Sequence, residues 1–119
     1  MSARDYRDLL VWQKAMDLAR QVYELSKSFP PAEQFGLTSQ IRRSAVSVVS
    51  NIAEGQGRET PGDFARFLNI ARGSLAELQT QLILAGNLDL CDSGKADPVL
   101  ASSEEVGRML RGLRNSLDS

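Results

Sequence analysis

Two rows of residues run side by side along positions 37–58, and together they leave that stretch little choice but a helix packed on more than one side. Gln40, Arg43, Ser47, Asn51 and Glu54 recur at spacings of three and four, which places them on one face of an α-helix. Leu37, Ile41, Ala45, Val48 and Ile52 form an apolar row next to them. The polar row consists mostly of short, uncharged side chains, unlike the charged face of a plain solvated helix. Val46, Val49 and Ala53 belong to neither row, so the apolar arc is wider than one core contact requires.

Helical periodicity accounts for nearly all the rest. The one β-branched cluster, 46–49, lies inside the helical pattern, and no strand signal survives. A first helix is expected over about 7–26, with Val11, Ala15, Leu18, Val22 and Leu25 as its core stripe. Trp12, Met16, Ala19 and Tyr23 add a second row, widening the apolar face to roughly half the circumference at ~3.6 residues per turn. A surface helix of a monomer needs less. The excess predicts burial against a second copy of the chain, with Trp12, Met16, Tyr23, Val46, Val49 and Ala53 as the candidate subunit interface.

Pro30 and Pro31 end this helix, because proline is not accommodated in a helix interior. Phe29 and Phe35 flank the connection and are expected to plug the bundle end. The second helix spans about 36–54, with Gly55 and Gly57 as its stop. Thr60, Pro61 and Asp63 mark the start of a third over 61–86, as cap, first-turn proline and first-turn acid. Phe64, Phe67, Leu68, Ala71, Leu75, Leu78, Leu82 and Ala85 give it one long stripe, closed by Gly86 and Asn87. Positions 89–95 read as a loop. Asp97 and Pro98 then open a fourth helix over 98–116, with Ser102 and Glu105 as a competing capping box. Its stripe is Val99, Val106, Leu110, Leu113 and Leu117. Four helices with short connections predict a single all-α domain, an antiparallel up-down-up-down four-helix bundle.

Composition narrows the chemistry. The chain of 119 residues has no histidine and one cysteine, Cys91. Ser-His-Asp and Cys-His nucleophile systems cannot be assembled within it. The histidines and multiple cysteines that usually hold zinc are missing, as is the Glu-x-x-His pair of di-iron bundles. Glu54 and Glu77 are the acids nearest to faces that a bundle buries, and a structural role is preferred for both. The Gly55-Gln56-Gly57 turn follows a helix and lacks the Gly-Lys-Ser/Thr of a phosphate loop. The reading is therefore a protein without catalytic, metal or cofactor site. One thiol and no apolar run of membrane-spanning length point to a cytoplasmic protein.

The net charge is −1, so no overall basic excess marks a dedicated nucleic-acid binder. Arg42, Arg43, Arg58, Arg66 and Arg72 nevertheless fall on or near the second and third helices. Guanidinium suits phosphate through paired hydrogen bonds, which makes them candidate nucleic-acid contacts. Acids interleave with them, and salt bridging is the preferred explanation. The polar row Gln40, Arg43, Ser47, Asn51, Glu54 has two readings as well: a functional groove, or a hydrogen-bond network fixing helix or subunit register. The second is preferred, since short side chains let helices approach and buried polar atoms must be paired.

The segments LLVWQKAMDLARQVYELSKSFP, FGLTSQIRRSAVSVVSNIAEGQGR and FARFLNIARGSLAELQTQL resemble the four-helix bundle proteins encoded in intervening sequences of bacterial 23S rRNA genes. The patterns NIAEG-x-x-R and FL-x-IA-x-GSL-x-EL carry the resemblance, which is strong over about residues 9–88 and looser beyond. The chain departs from it at Val48-Val49, where many members carry Ile-Pro or Val-Pro; valine there favours a straighter helix. The resemblance implies bundles assembled into homopentameric rings, with no established enzymatic activity. A related group consists of accessory proteins of diversity-generating retroelements, which contact reverse transcriptase and nucleic acid. The expectation is an oligomeric scaffold or interaction protein, its partner a further copy of itself; the alternative is binding of structured RNA.

Overall fold

The computed structural model describes residues 5–118. Among them are four α-helices and no strand: α1 (Leu10–Ser26), α2 (Leu37–Gln56), α3 (Pro61–Asn87) and α4 (Ser93–Ser116). Helix α2 packs on α1 and α3, α3 also on α4, and α1 closes the square onto α4. Ser47 meets Ser74 while Gly55 meets Phe67, and Gln79 meets Ser103 while Leu75 meets Gly107; along each pair one number rises as the other falls, so these neighbours are antiparallel, and Lys14 faces Glu105 across α1 and α4. The result is the expected all-α four-helix bundle, 45 × 24 × 19 Å in extent.

The stripes read from sequence meet in its centre. Leu18, Ile41, Ile52, Leu68, Leu78 and Leu110 are fully buried, each contributing on the order of 1.5–3 kcal/mol of transfer free energy. Gly55 sits within α2, buried against α3. A Cβ there would fall 2.6 Å from the Phe67 Cβ, so glycine is required for the approach and does not end the helix. The chain leaves α2 only at Gly57, whose φ of −77° is ordinary right-handed backbone. With valine at 48 and 49, α2 runs its 20 residues without a break.

The third helix starts as the sequence indicates. The Thr60 hydroxyl accepts from the Asp63 amide at 3.1 Å, with Pro61 in the first turn. Its end differs. Gly86 and Asn87 are still helical, and the left-handed residue is Asp89, φ 55°. The Leu90 amide bonds back to the Ala85 carbonyl and the Asp89 amide to that of Gly86, the paired pattern of a Schellman end.

Three further expectations are corrected. The fourth helix starts at Ser93, not Pro98: the Asp92 carboxylate accepts the Gly94 amide, and the early start buries Ala96 as well as Val99. Pro98 and Ser102 lie inside α4. The first helix starts at Leu10, because Tyr6–Asp8 form a separate 3₁₀ turn capped by Asp5. Phe29 does plug the bundle end, but Phe35 is 90% exposed; a 3₁₀ turn over Pro31–Glu33 carries the chain past it, and Leu37 is the residue that turns inward.

Candidate functional site

Three surfaces hold the residues singled out by sequence. The first is the seam between α1 and α2. Met16, Tyr23 and Val46 stand on it 47%, 41% and 44% exposed. Trp12 is half-buried and meets the Tyr6 ring edge-on, centroids 5.3 Å apart; Ala53 is half-buried too. Val49 is corrected: it is 7% exposed and belongs to the core. Because α2 is flanked by both α1 and α3, its buried arc extends beyond the single stripe and takes in Val49 and Ser44. At one end of the seam, Tyr23, Phe35, Arg42 and Val46 surround a groove of about 700 Å³. The Arg42 guanidinium lies 4.8 Å from the Tyr23 ring centre and donates to the Ser26 hydroxyl at 2.7 Å. Two side chains on α1 therefore position it.

The second surface is the polar seam between α2 and α3. Ser47 and Ser74 share a 2.8 Å hydrogen bond, and the Asn51 amide donates to the Ser47 carbonyl and hydroxyl. These three form a cross-helix network, the structural reading of the polar row. Its other members stand apart. Glu54 is exposed and pairs with Arg58 at 2.9 Å. Gln40 and Arg43 are exposed and line a shallow groove of about 410 Å³ with Ser44, Glu77 and Gln81. The buried Oε1 of Gln81 has no hydrogen-bond partner among the described residues.

The third set, the arginines, does not form one patch. Arg58 and Arg66 both lie 4.7 Å from the centre of the Phe67 ring, and each has an acid nearby, Glu54 and Asp63. These two are held by ring and carboxylate, as the salt-bridge reading expects. Arg42 and Arg43 belong to the α2 surfaces above. Arg72 lies elsewhere, in a groove of about 680 Å³ between α3 and α4, together with Arg108 and Arg111. Sequence reasoning missed those two, although their spacing of three, one turn beyond Glu104, was a readable sign that they share a face of α4.

Glu54 and Glu77 are both exposed. Among the described residues no three acidic or thiol side chains converge as a metal site would need. The Cys91 thiol is half-buried between α3 and α4; burial and, less strongly, Asp92 push its pKa up, which disfavours the reactive thiolate. Among the described residues no helix is long and apolar enough to cross a membrane.

Residues 7–112 match the family described as 23S rRNA-intervening sequence protein. That span covers α1 to α3 and most of α4. The chain belongs to this family. A solved member of similar structure is a protein of unknown function from the S23 ribosomal protein family of Bacteroides thetaiotaomicron VPI-5482. It superposes with a TM-score of 0.78 at 28% identity, covering 85% of this chain and 94% of that one. No curated protein matches the chain significantly. Neither comparison indicates an enzyme family. As a 23S rRNA-intervening sequence protein, the chain thus shares a fold and a sequence pattern with relatives whose own role is not assigned.

Proposed function

We propose that this bundle is a self-assembling interaction module whose α1/α2 seam is a subunit interface. The carrying observation is that exposed Tyr23 and Val46 and the almost fully exposed Phe35 surround one groove, with Met16, two turns before Tyr23 on α1, exposed as well. These residues occupy one side of a bundle whose core is already complete without them. Large exposed side chains gathered around one groove mark an interaction surface, whereas isolated ones do not. A second apolar group, Ile83, Leu84 and Leu88, is exposed at the end of α3. Two different patches on one chain suit head-to-tail contact, which closes into a ring when the rotation permits. Five subunits is the stoichiometry that the sequence resemblance leads us to expect.

Met16 and Val46 are exposed in the single chain, so acidic substitutions there leave its core intact. Val46→Glu combined with Met16→Glu is expected to shift the sedimentation profile to the 13.0 kDa monomer while the helical circular dichroism stays unchanged. An assembly that survives both substitutions places the interface elsewhere.

A further inference from the structure

We propose that the groove between α3 and α4 is a binding site for the phosphodiester backbone of nucleic acid, held by Arg72, Arg108 and Arg111. The inference is separate from self-assembly, because the groove lies on the α3/α4 side and not on the α1/α2 seam.

Most cations of the described residues are paired, and this groove gathers three that are not; Arg43 and Lys95 also form no ion pair, but they line other grooves, beside Glu77 and Glu24. Arg7, Lys14, Arg20, Lys27, Arg58, Arg66 and Arg114 each have a carboxylate within 4.0 Å. Arg42 is fixed on Ser26 and Tyr23. Arg72, Arg108 and Arg111 form no ion pair among the described residues, yet they line one concavity of about 680 Å³. Its single acid, Glu104, forms no ion pair with them among the described residues. Three guanidiniums lining one groove with a single carboxylate leave it net positive, and a bound polyanion neutralises that excess.

The shape of the groove selects the kind of anion. Arg108 and Arg111 are one turn apart on α4, with Arg72 opposite on α3. Asn69 and Gln79 bring amide groups ten residues apart on α3, about 15 Å of helix. Arginine and amide side chains strung along such a line are the groups that contact phosphate and sugar. Gly73 and Gly107 keep the lining low: a Cβ at Gly73 would meet nothing within 4 Å, and one at Gly107 would meet only Leu75, at 3.2 Å. No aromatic ring lines the groove, so a base has no platform on which to stack. The contact reads backbone and not sequence. A second copy of the chain is the weaker occupant, because its sequence offers no run of acids longer than Glu104-Glu105 to face three guanidiniums.

The test is fluorescence anisotropy of the full chain with labelled oligonucleotides of mixed sequence, one RNA and one DNA of equal length. A labelled oligoglutamate peptide is the competing probe. Binding to the oligonucleotides should weaken about twentyfold between ~50 and ~200 mM salt if three phosphates are neutralised. Arg108→Gln with Arg111→Gln should reduce affinity at least tenfold and lower the salt slope by about two phosphates, leaving the assembled mass unchanged. Arg20→Gln, which removes a paired arginine on α1, should have no effect. Equal binding of RNA and DNA supports recognition through phosphate alone; preference for RNA supports phosphate recognition with an added 2′-hydroxyl contact. The proposal is overturned by absent binding, by binding that the double substitution leaves intact, or by oligoglutamate binding as tightly as the nucleic acids.

Discussion

At the scale of single residues, two backbone positions decide how the helices end and meet. Gly55 exists for contact: any side chain there collides with Phe67 and Phe64. Gly55→Ala is expected to destabilise the chain by about 1–3 kcal/mol, the usual cost of overpacking, read as a fall in the urea midpoint. Asp89 is the reverse case. It holds a left-handed φ of 55° to complete the end of α3, a conformation that costs a non-glycine residue about 1 kcal/mol. Asp89→Gly should therefore raise stability by some tenths to about 1 kcal/mol, since part of the relief is offset by the freer unfolded chain. Neither role was legible in sequence. Gly55 reads as a helix stop because glycine beyond an apolar run usually is one, and Gly86-Asn87 reads as the close of the third helix. The deciding information was the distance to a neighbouring helix and the path of the chain.

At the scale of elements, periodicity carried the reading, and local caps limited it. The stripes of α1, α2 and α3 fell on the core as their spacing required, because a repeat of three and four survives any detail of loop geometry. The start of α4 did not. By sequence the competing starts are Asp97-Pro98 and the Ser102/Glu105 box, with 89–95 as a loop, and the structure uses neither. Burial of Ala96 and the bond from the Gly94 amide to Asp92 favour an earlier start, which leaves Pro98 inside the helix. A proline there cannot donate to the Gly94 carbonyl. Pro98→Ala should then stabilise the chain by about 1 kcal/mol, after allowing for the lost stiffness of the unfolded state; a drop in thermal midpoint would mean that α4 does not extend back to Ser93. The polar row on α2 divided in the same way. Ser47 and Asn51 could be read as a network, but their partner Ser74 is on another helix, and such a pairing has no signature along a single chain.

At the scale of the whole molecule, the bundle presents different surfaces on different sides. The α1/α2 seam is apolar around Tyr23 and Val46, and the α3/α4 groove carries three guanidiniums against one acid, Glu104. The extra apolar row on α1 was visible in sequence because it exceeds what a core needs. The arginine groove was not, since Arg72 and Arg108 lie 36 positions apart and only the antiparallel packing of α3 on α4 brings them together. If copies of the chain assemble, each groove is repeated around the assembly, and weak individual phosphate contacts gain from their effective concentration. Assembly is thus the central claim. The most direct test is the mass of the unmodified protein by light scattering across micromolar concentrations. The account predicts a species several times the 13.0 kDa of one chain, about 65 kDa for a five-membered ring. A single 13.0 kDa species throughout that range would contradict it.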